Sequence, residues 1–232
     1  MNPILVALDL DDSAKARSVA SSLTGHVGGF KVGLELIMSA GPSVISEIAD
    51  VGLPVFADVK LHDIPNTVRG AARAVGSHGA RWLTVHASGG RSMIEAAIEG
   101  MSAYRPSEGN GVLTVTVLTS LDSGDLVDLG LGSDVTDTSL ALALLAADVG
   151  AEGIVCSPHE VASIASAAPS LVKVTPGIRP SGADSQDQKR VATPQKALAA
   201  GADWLVVGRA ITAAPDPVTA AEEIVARLGV TA

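Results

Sequence analysis

Residues 79–86 of this 232-residue chain read Gly-Ala-Arg-Trp-Leu-Thr-Val-His, an apolar run that follows a Gly-Ala pair. An Ala-rich amphipathic stretch precedes the pair Gly79-Ala80. The same pair recurs at Gly150-Ala151 and Gly201-Ala202, each time between a helical pattern and an apolar run. A glycine in this place supplies the left-handed residue that ends a helix. The recurrence therefore predicts a repeated unit in which a helix leads into a strand.

This alternation extends over the whole chain. Short apolar runs predict strands over 4–8, 29–32, 55–61, 82–86, 112–118, 153–156, 171–175 and 204–207, and amphipathic stretches predict helices over 13–23, 42–52, 66–78, 92–104, 139–149, 159–168, 193–200 and 217–228. Such spacing is typical of a parallel sheet with crossover helices. Eight units in 232 residues predict an α/β fold, a single (β/α)8 TIM barrel that spans residues 1–232. A doubly wound open sheet is the alternative, but it usually carries a Gly-rich loop after its first strand, where this chain has Ala-Leu-Asp-Leu-Asp-Asp.

Composition excludes several classes of protein. Hydrophobic residues make up 47% and charged residues 18%, which excludes a disordered chain. The net charge of −9 and only five aromatic residues argue against binding to nucleic acid or to an anionic membrane. The single cysteine, Cys156, excludes an intrachain disulfide. Because the first apolar run ends at Asp9 and no run is long enough to span a membrane, we expect a cytoplasmic protein.

The strand predicted at 55–61 carries charges where a buried strand should be apolar. It reads Val-Phe-Ala-Asp-Val-Lys-Leu, so Asp58 and Lys60 share one face and the apolar residues between them share the other. In a barrel, the apolar face packs against helices, and the two charges point into the interior. Burying charged side chains costs free energy, so such charges either form ion pairs or serve a function such as catalysis or binding.

Two more charged residues extend this pattern. Lys31 lies on the preceding predicted strand, and Asp63 follows the charged one, so Lys31, Asp58, Lys60 and Asp63 are candidates for an array of alternating charge. Each lysine then has a carboxylate neighbour that favours its protonated form. The alternatives remain open: an ordinary structural ion pair for the strand charges, a surface position for Lys31, and a helix N-cap before Pro65 for Asp63.

The segment Asp58-x-Lys60-x-x-Asp63-Ile64-Pro65-Asn66-Thr67 resembles the signature of the orotidine 5′-phosphate decarboxylase family. The resemblance covers nearly the whole chain, because segments at the ends of most other predicted strands are also similar to that family. The Asp-x-Lys-x-x-Asp core alone also occurs in a wider superfamily of sugar-phosphate decarboxylases and synthases. Leu118-Thr119-Ser120 and the Thr-Pro-Gly-Ile-Arg-Pro run at 175–180 are narrower, and together they resemble the bacterial form.

The resemblance implies a reaction and a set of site residues. It implies a cofactor-free carboxy-lyase that converts orotidine 5′-phosphate into uridine 5′-phosphate and CO₂ in de novo pyrimidine biosynthesis. It makes Lys60 the proton donor to C6 of the pyrimidine and places Asp58 against the departing carboxylate. The other implied contacts are Asp9 and Lys31 at the ribose hydroxyls, Asp63, Ile64 and Thr67 in the site of the partner subunit of a homodimer, Thr119 and Ser120 at the pyrimidine, and Arg179, Gln188, Gly208 and Arg209 at the phosphate.

The phosphate assignment also has a basis in the residues themselves. Loops after strands seven and eight form the recurrent phosphate site of (β/α)8 barrels. Arg209 stands at the start of a predicted helix, where a cation is unfavourable unless an anion compensates it. The polar segment 181–189 follows strand seven, and we expect it to close over the phosphate, with no role assigned to Ser181.

Two other functions remain open. A relative that decarboxylates or synthesises a sugar phosphate would use Mg²⁺, although we see no metal-ligand constellation and expect no cofactor. A barrel that binds nucleotides without catalysis is the second alternative, but a pure binder has no need of a charged interior array.

Overall fold

The computed structural model describes residues 1–104, 111–179 and 192–229. Over these ranges, eight parallel strands form a closed barrel in chain order, and the last strand pairs with the first. The strands are β1 (Ile4–Ala7), β2 (Gly29–Gly33), β3 (Val55–Leu61), β4 (Trp82–His86), β5 (Val112–Val115), β6 (Gly153–Val155), β7 (Val172–Thr175) and β8 (Trp204–Val207). The predicted (β/α)8 TIM barrel is therefore confirmed, and the open sheet is wrong.

Helices surround the strands. Those within the described ranges are α1 (Ser13–Ser22), α2 (Leu34–Ala40), α3 (Val44–Ala49), α4 (Pro65–Ser77), α5 (Arg91–Ser102), α6 (Ser123–Asp128), α7 (Val135–Asp148), α8 (Val161–Ala167), α9 (Pro194–Ala199), α10 (Arg209–Thr212) and α11 (Pro217–Leu228), with a short 3₁₀ turn at Ala87–Gly89. None of these helices combines the length and apolarity that crossing a lipid bilayer requires.

The structure differs from the predicted elements in several places. The helix predicted over 42–52 is shorter and is α3, whereas α2, which precedes it, was not predicted. Gly41 with a φ of +82° and then Pro42 separate the two helices. The short helix α6 was not predicted, whereas α10 begins at Arg209, as the predicted helix start there requires. The strand expected to reach residue 118 ends at Val115, whose partner Val155 is also the last residue of β6.

The Gly-Ala pairs stop helices as predicted. Gly79, Gly150 and Gly201 have φ angles of +85°, +77° and +104°, the left-handed region in which a side chain is strained. Each of these glycines stands two positions after the last residue of its helix and leads into the next strand. The local sequence therefore sets the length of these crossovers and brings the next strand back to the barrel.

Apolar side chains pack on both faces of the barrel wall. The larger cluster lies between strands and helices and includes Ala57 of β3, with Val59 and Leu61 packed against it. A smaller cluster fills the interior and consists of Leu5, Ala7, Phe56, Trp82, Leu113, Val174 and Val206. Phe56 is almost completely buried, and burial of a phenylalanine side chain contributes about 1.5–3 kcal/mol to the free energy of folding. These interior side chains, which we call the interior plug, close the middle of the barrel, so a site must lie at one of its two ends.

Candidate active site

A cavity of about 580 Å³ opens at the carboxyl ends of the strands. This is the end at which (β/α)8 barrels carry their active sites. The polar and charged side chains that line it are Asp9, Lys31, Glu35, Asp58, Lys60, Cys156, Ser157, Thr119, Arg179, Arg209 and Thr212. Its floor includes Phe56 of the interior plug. The alternation predicted along β3 is therefore confirmed, since Phe56, Asp58 and Lys60 all face the interior.

Four charges alternate in sign along one wall of this cavity. The Nζ atom of Lys31 lies 2.7 Å from Oδ1 of Asp9 and 3.7 Å from Oδ2 of Asp58. The Nζ atom of Lys60 donates a hydrogen bond of 2.7 Å to the same Oδ2 of Asp58. The order is thus Asp9, Lys31, Asp58, Lys60, and we call these four residues the charged array.

The array differs from the prediction at one end. The sequence placed Asp63 beside Lys60, but among the described residues Asp63 forms no ion pair with either lysine. Its Oδ1 instead accepts a hydrogen bond from the backbone N–H of Ile64 at 2.6 Å. The fourth member is Asp9, because the parallel pairing of β1 with β2 brings the end of β1 beside Lys31.

Asp58 is ionised in this setting. Burial by itself raises the pKa of Asp58. The positive charges of Lys31 and Lys60 and two side-chain hydrogen bonds outweigh that effect, so the pKa of this carboxyl lies below its ordinary value. The side chain of Asp58 is 12% exposed and that of Lys60 is 29% exposed, so the ammonium of Lys60 keeps access to solvent.

The backbone of Lys60 has an unusual conformation. Its φ of +48° is the one positive value at a residue other than glycine over the described ranges. The register between β3 and β4 shifts here, because Ala57 pairs with Leu83 and Leu61 pairs with Val85. Three residues of β3 thus stand opposite Thr84 alone. The bulge turns the Lys60 side chain toward the cavity, and backbone strain of this kind is common at functional sites.

Gly33 leaves room for one of the ion pairs. A Cβ atom at this position would lie 2.7 Å from Nζ of Lys31 and 2.9 Å from Oδ1 of Asp9, closer than real Cβ contacts come. The backbone of Gly33 is extended, with φ −97° and ψ −178°, a conformation open to any residue. The absence of a side chain at position 33 therefore serves the contact between Asp9 and Lys31, not the backbone.

The residues expected to reach a partner subunit lie outside this chain's own cavity lining. Asp63, Ile64 and Thr67 are exposed, and Ile64 is an apolar side chain with 66% of its surface accessible. The N-cap alternative for Asp63 is wrong, because α4 begins at Pro65 and its N-cap is Ile64, with no side-chain capping bond.

The structure brings most of the other predicted site residues to the cavity. Thr119 lines it, as do Arg179, Gly208 and Arg209 after β7 and β8, whereas Ser120 is exposed and does not line it. Gln188 and the loop 181–189 lie outside the described residues.

The sequence interpretation missed some residues at the site. Glu35 lines the cavity from the first turn of α2, and Ser157 follows β6. Both stand just after a strand, where the fold places functional side chains. Cys156, expected in the core, is buried and also borders the cavity, and burial raises the pKa of its thiol to about 12. A thiol of that pKa is no nucleophile at neutral pH.

Two histidines stand beside the array. The rings of His62 and His86 lie 5.4 Å apart between centroids. Burial, followed by the electrostatic effect of the neighbouring His62 and Lys60 side chains, lowers the pKa of His86, so that this ring is neutral at pH 7. Over the described ranges, no group of three or more His, Cys, Asp or Glu residues has an arrangement that suits a metal ion.

The chain is similar to known proteins over nearly its full length. The model of the orotidine 5′-phosphate decarboxylase / HUMPS family matches residues 2–224. Two proteins named orotidine 5′-phosphate decarboxylase are similar to the chain: one from Anaeromyxobacter sp. (strain K) is 50% identical over 226 residues, 97% of each chain, and one from Paramagnetospirillum magneticum is 47% identical over 233 residues, 99% of each. The crystal structure of orotidine 5′-phosphate decarboxylase from Lactobacillus acidophilus is similar with a TM-score of 0.86 and 37% identity, covering 99% of this chain and 100% of that one. By sequence over nearly its full length, the chain belongs to the orotidine 5′-phosphate decarboxylase / HUMPS family.

Proposed function

We propose that this protein catalyses the decarboxylation of orotidine 5′-phosphate to uridine 5′-phosphate. It is an enzyme, a carboxy-lyase. The observation that carries the proposal is the charged array at the cavity wall, in which a lysine ammonium is held 2.7 Å from an ionised, buried carboxylate. The relatives at 47–50% identity bear the name of this activity and not that of the sugar-phosphate enzymes of the same family.

The reaction requires stabilisation of a localised carbanion. The bond between C6 and the carboxylate carbon breaks, its electron pair stays on C6, and CO₂ leaves. No conjugated system accepts that pair, so a fixed positive charge must stabilise it. The Nζ atom of Lys60 supplies this charge and then donates its proton to C6, which forms the new C–H bond. Lys60 regains a proton from solvent, to which its side chain is 29% exposed.

The rest of the array orients this lysine and the sugar. Asp58 holds the Lys60 ammonium by a hydrogen bond and lies against the departing carboxylate. Lys31 and Asp9 contact the ribose hydroxyls, and their own contact of 2.7 Å fixes both groups before substrate arrives.

Two arginines bind the phosphate end of the substrate. Arg179 follows β7, which stands opposite β3 in the eight-stranded ring, and Arg209 follows β8. Guanidinium groups match phosphate oxygens with paired hydrogen bonds. A nucleotide therefore spans the cavity, with its base at Lys60 and its phosphate at the arginines. Thr119 lines the cavity and meets the pyrimidine. The assignments of Ser120 to the pyrimidine and of Gln188 to the phosphate rest on the family resemblance alone.

The enzyme forms a homodimer with shared sites. Asp63, Ile64 and Thr67 are exposed just after the strand that carries the catalytic residues, and they do not line their own cavity. In a two-fold dimer any contact across the interface is reciprocal, so each site receives one such set from its partner. We further propose that the protein works without a cofactor in the cytoplasm, in de novo pyrimidine biosynthesis, and that its net charge of −9 disfavours nucleic acid and anionic membranes as partners.

One assay tests the reaction directly. Purified protein is added to orotidine 5′-phosphate, and the ultraviolet absorbance of the substrate is followed while the product is identified as uridine 5′-phosphate. We expect rapid conversion. Binding of the nucleotide without turnover would favour the non-catalytic barrel. Turnover confined to a sugar-phosphate acid and dependent on Mg²⁺ would favour the other branch of the family.

A further inference from the structure

The hydroxyl of Thr84 forms hydrogen bonds with two members of the charged array, Asp58 and Lys60. Its Oγ1 accepts a hydrogen bond of 2.9 Å from the backbone N–H of Lys60 and donates one of 3.0 Å to Oδ1 of Asp58. Thr84 lies on β4, is fully buried and is not among the residues that line the cavity. Thr84 therefore contacts Lys60 and Asp58 but cannot contact a substrate in the cavity.

The bonding pattern of Asp58 leaves the two oxygens of its carboxylate with different partners. Oδ2 receives the Lys60 ammonium, and Oδ1 receives the Thr84 hydroxyl. This pattern fixes the rotation of the carboxylate, and with it the direction from which the ammonium of Lys60 is held. Without the hydroxyl, Oδ1 would be a buried acceptor with one partner fewer.

The other bond of Thr84 holds the bulge. Thr84 stands alone opposite residues 58–60, so the ladder of backbone hydrogen bonds offers the Lys60 N–H no regular partner here. The left-handed backbone of Lys60, at φ +48°, persists only while its surroundings enforce it. A single hydroxyl, which is both donor and acceptor, satisfies Lys60 and Asp58 together.

We propose that Thr84 is a positioning residue, whose hydroxyl sets the place of the Lys60 ammonium through the Lys60 backbone and the Asp58 carboxylate. As far as catalysis is concerned, this inference rests on the proposed function. The bonds themselves do not depend on it. Thr84 acts through the two residues that it holds, so its loss changes the rate of the chemical step more than the binding of the nucleotide.

The chain offers a conservative variant and a matched control. Thr84→Val keeps the shape of the side chain and loses both bonds, whereas Thr84→Ser keeps the hydroxyl. Thr84→Ala also lacks the hydroxyl and is measured in parallel in case the valine variant fails to fold. Thr114→Val is the control, because Thr114 is equally buried on the adjacent strand β5 and its hydroxyl has no hydrogen-bond partner among the described residues.

Steady-state kinetics is the first readout. We expect Thr84→Val to lower kcat by about tenfold to a hundredfold with KM nearly unchanged, Thr84→Ser to restore most of the rate, and Thr114→Val to match the parent. A valine variant with parental kcat would overturn the inference. So would a serine variant as slow as the valine variant, or a control that loses as much.

Amide hydrogen exchange, followed by NMR at Lys60, is a readout independent of activity. The Lys60 N–H should exchange faster in Thr84→Val and Thr84→Ala than in the parent, and at the parental rate in Thr84→Ser and Thr114→Val. Unchanged exchange in the valine and alanine variants would overturn the inference. A parent protein inactive on orotidine 5′-phosphate would contradict the proposed function instead, and the exchange comparison would still decide whether Thr84 holds Lys60.

Discussion

Replacing Gly33 with alanine should separate activity from stability. The new methyl group would lie 2.7 Å from Nζ of Lys31, whereas ordinary contacts begin near 3.4 Å. The ammonium must therefore retreat by about 0.7 Å, the difference between those two distances. Because Nζ is the far end of a flexible side chain, it can move while the backbone stays in place, and the contact with Asp9 at 2.7 Å is lost.

The size of each effect follows from these contacts. In the proposed complex the Lys31 ammonium also bonds a ribose hydroxyl, and a hydrogen bond to a charged group in a closed site is worth about 1.5–3 kcal/mol. Because each ~1.36 kcal/mol is tenfold in rate, losing that bond should lower kcat/KM roughly tenfold to 150-fold. Stability should change little, because the Asp9 side chain is 47% exposed and solvent screens the pair to about 1 kcal/mol or less. Alanine also restricts the unfolded chain, which offsets about 0.4–1 kcal/mol of that loss.

The assay compares decarboxylation kinetics with thermal unfolding for Gly33→Ala. The matched control is Gly70→Ala on α4, where a new Cβ meets nothing within 4 Å, so activity should stay parental. A Gly33→Ala enzyme with the parental kcat/KM would show that the pair of Asp9 and Lys31 is not used in the reaction. A large fall in melting temperature would show instead that the substitution disturbs the fold.

Three further predictions concern the proposed mechanism. Lys60→Ala should lose several powers of ten in kcat, each worth ~1.36 kcal/mol of barrier. Its affinity for uridine 5′-phosphate, measured by calorimetry, should fall far less. Turnover within tenfold of the parent would exclude Lys60 as the proton donor. Mixed dimers of Lys60→Ala and Asp63→Ala chains should recover up to half of the parental activity per heterodimer. Both substitutions then affect the same site, and the other site keeps its own Lys60 and an intact Asp63 from the partner. Purified heterodimers as inactive as either homodimer would show that Asp63 acts within its own subunit. Exhaustive chelation and dialysis should leave turnover unchanged, because Lys31 and Lys60 form ion pairs with the carboxylates of Asp9 and Asp58 and repel a divalent cation. A loss of activity that Mg²⁺ restores would contradict this prediction.

The sequence by itself determined the features that depend on short-range rules. The period of two along β3 puts Asp58 and Lys60 on one face, and it holds wherever the strand is placed. A glycine after a helix ends that helix through its own backbone freedom, which is why the Gly-Ala pairs marked the strand entries correctly. The order of strands and helices, and from it the barrel, followed from these local patterns.

Only the tertiary structure decided which residues meet. Lys31 forms an ion pair with Asp9, 22 positions away, because the register of β1 on β2 brings Asp9 alongside. Asp63, which was expected beside Lys60, forms no ion pair with it among the described residues. Thr84 reaches Asp58 across 26 positions for a similar reason, through the register shift between β3 and β4. Such contacts depend on how strands are aligned across the barrel, and no local propensity encodes that alignment, because it is set by the packing of the whole ring at once.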